Sequence, residues 1–198
     1  MTKKILVFGD SIAWGAFDTE LGGWVQRLKL FGFGNNFNVY DFSVSSNDSK
    51  GILFSLEEDI NKIKRIEPAE EYAFIFAIGT NDAAYFNNKE NKTTSKEEFK
   101  SNLKKVIEIS KKYTKEIIFV SIAGADYSKT QPIPWTQGIY YTEKDFKEYN
   151  QIIEEVCKEK NTIYLSVYGI LENSDFEDGL HPNSKGHEKI FQKIITLF

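Results

Sequence analysis

Short runs of wholly apolar residues alternate along this chain with longer stretches in which apolar positions recur every three or four residues. Ile5 to Phe8 is the first such run, and it reads as a strand buried on both faces that stops at Gly9. A helix is expected from about Gly23 to Phe31, with Trp24, Leu28 and Phe31 at helical spacing. Phe37 to Phe42 reads as a second strand. Ile52, Leu53, Leu56, Ile60 and Ile63 then share one helical face, and Pro68 marks the end of that pattern. Tyr72 to Ile78 is a third, fully apolar strand that runs into Gly79. Ser95 with Glu98 has the form of a capping box ahead of Phe99, Leu103, Val106 and Ile107. Ile117 to Ile122 is a fourth strand, Thr142 opens a helix carried by Phe146, Tyr149, Ile152, Ile153 and Val156, Thr162 to Val167 is a fifth strand, and Asn183 to Phe198 is a closing helix.

Near-continuous apolar strands separated by amphipathic helices specify an α/β fold with a parallel sheet covered on both faces. Right-handed crossovers leave few strand orders for five such units, and the flavodoxin-like order 2-1-3-4-5 is the one expected. No repeat, linker or composition shift divides residues 1–198, so they read as a single domain. Two connections are longer than the fold needs, 83–94 and 124–141. Both follow strands and therefore overhang the edge of the sheet where such folds bind ligands. The second, GADYSKTQPIPWTQGIYY, carries Tyr127, Trp135, Tyr140 and Tyr141. It serves either as a packed cover or as a substrate-lining wall, together with Trp14 near the first strand end.

Composition narrows the choice of function. Charged residues make up 27% and the formal charge is −4, with both signs interleaved, so no basic stripe for nucleic acid exists. The lysines between 100 and 115 alternate with apolar residues and read as a solvated helix face. A single cysteine, Cys157, cannot form an internal disulfide and falls on an apolar helix face as a small core residue. Two histidines and one cysteine are too few for a zinc site built mainly from those residues, although a carboxylate-rich site stays open. The apolar run after Lys3 and Lys4 is shorter than the ~7–15 residues of a signal-peptide core. Nothing approaches the ~20 apolar residues of a membrane span. A cytoplasmic location is expected.

The chemistry collects at strand ends. Gly9-Asp10-Ser11 follows the first strand, Ser43-Val44-Ser45-Ser46-Asn47-Asp48 the second, Gly79-Thr80-Asn81-Asp82 the third, and Asp178-Gly179-Leu180-His181-Pro182 the fifth. In the expected strand order the first and third strands are neighbours, so Ser11 and Asn81 face each other across the crevice. A serine hydroxyl needs a base, for which His181 is the candidate, and Asp178 three residues earlier can hold its imidazole in one tautomer. The Ser11 backbone N–H, a backbone N–H near Ser43 and the Asn81 amide are available to an oxyanion. Asp10 and Asp82 read as turn or cap partners, and His187 on the last helix as a surface residue.

GDS near the N-terminus, GTND after the third strand and DGLHP near the C-terminus together resemble the SGNH hydrolases, the GDSL-type esterases and lipases. The resemblance spans Gly9 to His181 in that family's order. It implies a three-layer α/β/α sandwich and ester hydrolysis without metal or cofactor, on a small-molecule ester. Carried over by position, Ser11 is the nucleophile, His181 the base, Asp178 its orienting acid and Asn81 an oxyanion donor. The second block departs from the pattern, since Ser43 stands where a glycine N–H is usual. The implied activity is that of a serine esterase, leaning towards short acyl groups such as acetyl on a carbohydrate. Lysophospholipase or thioesterase action at the same site, or an inactive binding module on the same fold, are the alternatives. A receiver-like phosphoacceptor would need a lysine after the fifth strand, where Val167-Tyr168-Gly169 has none. A nucleotide module would need a glycine-rich phosphate loop, and none occurs.

Overall fold

The structure is a computed structural model that describes residues 2–66 and 71–198. Pro68, expected to close a helix, lies outside the described residues. Among the described residues, seven strands occur in the order β1 (Lys3–Gly9), β2 (Phe37–Asp41), β3 (Tyr72–Ala77), β4 (Tyr85–Phe86), β5 (Glu116–Val120), β6 (Ile139–Tyr140) and β7 (Ile163–Leu165). The same residues form the α-helices α1 (Ser11–Trp14), α2 (Trp24–Gly34), α3 (Ser49–Ile66), α4 (Lys96–Ser110) and α5 (Glu143–Lys160) between the strands, and α6 (Ser184–Ile194) after the last of them. The five long strands form one parallel sheet in the order β2-β1-β3-β5-β7. This is the expected 2-1-3-4-5 order once the two short strands are set aside. Those two pair antiparallel with each other as a separate ribbon.

Alternation along each strand divides the core into two unlike halves. Leu6, Phe8, Phe74, Phe76, Ile117 and Phe119 face α3, α4 and α5. Ile5, Val7, Ala73, Ile75, Ile118 and Val120 face α2 and α6, where Trp24 and Leu28 are fully buried. Trp24 is thus a packing residue. The first half carries a ladder of stacked rings across the sheet: Phe42 to Phe8 at 5.3 Å, Phe8 to Phe76 at 5.2 Å and Phe76 to Phe119 at 4.9 Å. Aromatic pairs of this kind add about 0.5–1.5 kcal/mol each beyond simple burial. Cys157 lies in the same half, and burial pushes its thiol up to about 11.

Local signals set the helix starts. Ser95 accepts from the Glu98 N–H, Thr142 from Asp145 and Asn183 from Gly186, each as an N-cap. The lysine-bearing face of α4 is not simply solvated. Lys96, Lys100 and Lys104 reach Glu148, Glu155 and Glu159 along α5. Among the described residues, no helix is long and apolar enough to cross a membrane.

Candidate active site

Strand register brings the site together. Gly9 pairs with Ala77 and Ala77 with Val120, so β1, β3 and β5 end level and their loops rise from one edge. Gly9 has to be glycine for packing reasons, since a Cβ there would stand 2.4 Å from the Ala13 Cβ and 3.0 Å from the Ala77 carbonyl oxygen. That close approach turns the chain directly from β1 into α1. Asp10 caps the turn, its Oδ1 accepting from the Ile12 N–H at 2.9 Å. Burial pushes the Asp10 carboxyl up to about 6, against the hydrogen bonds from Ile12 and Thr80. As expected, Asp10 is a turn partner.

Ser11, the first residue of α1, lies within 3.0 Å of His181 through Oγ and Nε2. His181 Nδ1 is 2.7 Å from Asp178 Oδ2. The other oxygen of Asp178 accepts the backbone N–H groups of Leu180 at 2.9 Å and His181 at 2.8 Å. Burial opposes ionisation of Asp178, but these donors outweigh it and hold the carboxyl below its usual range. With Nδ1–H committed to Asp178, the network assigns Nε2 as acceptor for the Ser11 hydroxyl. The rings of Phe17 and Trp135 lie 5.3 Å and 5.6 Å from the imidazole.

Asn81 also reaches the site. Its Nδ2 donates to the Asn47 carbonyl at 2.8 Å and its Oδ1 accepts from the Tyr141 hydroxyl at 3.4 Å. The neighbouring Asp82 is fully buried and caps a distant helix instead of its own turn. It accepts the Ser49 N–H at 3.0 Å and the Ser49 hydroxyl at 2.5 Å, at the start of α3. Burial raises its carboxyl to about 6.

Beside Ser11 and His181 opens a cavity of about 330 Å³, which also takes in Ser45, Ser46, Asn81, Tyr85, Trp135 and Tyr141. The ribbon of β4 and β6 forms part of its wall, contributing Tyr85, Phe86 and Ile139. Of the five aromatic residues named for the substrate wall, Trp135 and Tyr141 line the cavity. Trp14 ends α1 and is 59% exposed, away from the cavity lining. Tyr127 packs edge-on against Phe146 at 5.9 Å, and Tyr140 stacks flat on Tyr85 at 4.9 Å. None of these three lines the cavity.

Two further expectations are corrected. The Ser43 N–H donates to Asp41 Oδ1 at 2.9 Å, so that donor is spent inside its own loop. The cavity-lining residues of this loop are Ser45 and Ser46, in a turn closed by Asn47 N–H to the Val44 carbonyl at 3.1 Å. Ser46 has φ +64°, a left-handed conformation more usual for glycine or asparagine. No sequence signal marks such a residue. His187, expected at the surface, is fully buried, with Nε2–H donating to the Ala16 carbonyl at 3.0 Å. Burial, chiefly, lowers its imidazole to about 4. Among the described residues, no group of three His, Cys, Asp or Glu side chains is placed to hold a metal ion.

A parallel α/β/α sandwich with Ser, His and Asp meeting at its strand ends defines a hydrolase-type fold and site. Residues 7–189 match the model of the GDSL-like Lipase/Acylhydrolase family, and the chain belongs to that family. It is a carboxylic ester hydrolase. The fold is similar to that of a lipase/acylhydrolase from Enterococcus faecalis, with a TM-score of 0.77 at 21% identity over 99% of this chain and 95% of that one. It is also similar to an acetylxylan esterase from Geobacillus stearothermophilus, with a TM-score of 0.72 at 17% identity over 98% and 92%. A multidomain esterase of Ruminococcus flavefaciens is 38% identical over 50 residues, 23% of this chain and 6% of that longer protein.

Proposed function

We propose that this chain is a serine esterase working through an acyl-enzyme on short-acyl esters, with acetylated carbohydrate as the favoured substrate class. The observation that carries the reading is the unbroken chain Ser11 Oγ, His181 Nε2 and Nδ1, Asp178 Oδ2, at 3.0 and 2.7 Å. Ser11 Oγ attacks the ester carbonyl carbon while His181 Nε2 takes its proton, and the carbonyl oxygen becomes an oxyanion. The Asp178 carboxylate steadies the imidazolium so formed. Collapse expels the alcohol with the proton from His181. Water, deprotonated in turn by His181, then attacks the acyl-enzyme and releases the acid and Ser11.

The oxyanion is received by the Ser11 N–H, the second Nδ2 proton of Asn81, and the Ser46 N–H in place of that of Ser43. A serine at φ +64° still offers its backbone donor there. Support for the substrate class comes from the cavity, whose bounded volume suits a compact ester and whose rim holds Trp135 for stacking on a sugar ring. It comes also from the Geobacillus acetylxylan esterase, whose structures include variants described as catalytic at a serine, an aspartate and a histidine. That aspartate precedes the histidine by three residues, as Asp178 precedes His181.

The test is a panel of p-nitrophenyl esters from acetyl to octanoyl plus acetylated xylo-oligosaccharides, with Ser11→Ala as blank. Acetyl should give the highest kcat/KM, and a sulfonyl fluoride should label Ser11 once and leave Ser11→Ala unlabelled. Preference for octanoyl would reject the short-acyl reading. A label on another serine would reject the nucleophile.

A further inference from the structure

Asn81 is asked to aim one N–H at an oxyanion, yet a carboxamide on a loop can rotate or flip. Two contacts bear on it, both from outside the GDS, GTND and DGLHP blocks: the Asn47 carbonyl on the loop after the second strand, and a residue of the long second connection. Tyr141 ends the long connection 124–141, and its hydroxyl lies 3.4 Å from Asn81 Oδ1. We propose that Tyr141 is a positioning residue for the oxyanion hole, holding Asn81 by donating its hydroxyl proton to Oδ1. This rests on the reading of Asn81 as an oxyanion donor.

The Tyr141 side chain is itself well fixed. Its backbone N–H donates to the Thr130 carbonyl at 3.0 Å, and its carbonyl accepts the Thr130 hydroxyl at 2.9 Å. The ring meets Phe146 edge-on at 5.9 Å, and only 5% of the residue is exposed. Phe146 in turn is fully buried on α5. The hydroxyl is therefore delivered from the packed core and not from a mobile loop.

Bond counting then decides the orientation of the amide. Asn81 has one oxygen acceptor and two N–H donors. The Tyr141 hydroxyl satisfies the oxygen, and the Asn47 carbonyl, at 2.8 Å, takes one N–H. The remaining N–H is left for the cavity that Asn81 lines together with Ser11. A flipped amide would set oxygen against the Asn47 carbonyl oxygen, a repulsive contact with no donor between them. Tyr141 must stay protonated to donate. Burial, followed by the nearby Asp10 and Asp178 carboxylates, raises its phenol to about 12. It remains a donor throughout the range in which an esterase is assayed.

The experiment is a double-mutant cycle read as kcat and KM separately, on p-nitrophenyl acetate. Tyr141→Phe keeps the ring on Phe146 and removes only the hydroxyl. It should lower kcat by about three- to tenfold, the size of one neutral hydrogen bond, with KM nearly unchanged. In the Asn81→Ala background the same change should have almost no effect, because no amide is left to orient. A wild-type kcat in Tyr141→Phe overturns the inference. So does a full, additive loss in the double variant, which would mean that the hydroxyl meets the substrate directly. If Asn81→Ala itself retains full kcat, it is instead the oxyanion reading of Asn81 that fails.

Discussion

Single atoms decide which groups of this site work and which only hold it. As the proposed oxyanion donor Asn81 acts through its side chain, so Asn81→Ala deletes that donor, and kcat should fall by roughly 10²–10³-fold. Ser43 and Ser46 differ from it, since a backbone N–H survives substitution of either. Ser43→Ala should change kcat by less than about threefold, because its N–H is already bound to Asp41 and its residue lies off the cavity lining. Ser46→Gly should keep activity and lose no stability beyond about 1 kcal/mol, because φ +64° suits glycine better than serine. Steady-state kinetics on one short ester and urea unfolding of the two serine variants check all three. A large kcat loss in Ser43→Ala with the fold intact would return that residue to the site.

At the level of elements, two devices join pieces that are distant in sequence. One is Asp82, which follows β3 and caps α3 by taking both the N–H and the hydroxyl of Ser49, while Asn102 on α4 donates to the same hydroxyl at 3.0 Å. This knot fixes the loop from Ser43 to Asp48 relative to Asn81. Asp82→Ala strands a buried N–H and should cost about 1–3 kcal/mol in urea unfolding. The other device is the ribbon of β4 and β6, which closes the cavity wall. Gly138 enters it with φ +82°, and a Cβ there would stand 2.3 Å from Asn87 Oδ1. Gly138→Ala should therefore strain the ribbon by about 1 kcal/mol or more. KM should rise while kcat for the smallest ester changes less, since Ser11, Asp178 and His181 stand on other loops. An unchanged KM across the ester panel would show that the ribbon does not shape binding.

For the whole molecule, buried ionisable groups set the response to acid, and they pull in opposite directions. Asp10 and Asp82 have folded values near 6, above the ordinary 3.8, so their contribution to stability is complete below 3.8 and is lost as pH rises through about 6. His187, lowered from 6.5 to about 4, contributes fully above 6.5 and loses that contribution as pH falls towards 4. Relative to His187→Gln, the wild type should lose about 3 kcal/mol of unfolding free energy between pH 7 and pH 4. Parallel stability–pH curves for the two proteins would contradict this.

His187 also shows where sequence stops. Its helix has the right period, but a histidine on an amphipathic helix does not announce that the first loop will descend and offer the Ala16 carbonyl to it. The five sheet strands, their order, the helix caps at Ser95 and Thr142, and the gathering of Ser11, Asp178, His181 and Asn81 at strand ends were all legible. They rest on local periodicity, on spacing within a few residues, and on motifs at strand ends. The meeting of 83–94 with 124–141 as a ribbon, the left-handed turn at Ser46 and the grip of Tyr141 on Asn81 were decided only in three dimensions. Side-chain period records which face of a strand or helix is buried. It carries no record of which loop pairs with which across some fifty residues, or of the sign of φ at a residue that is not glycine.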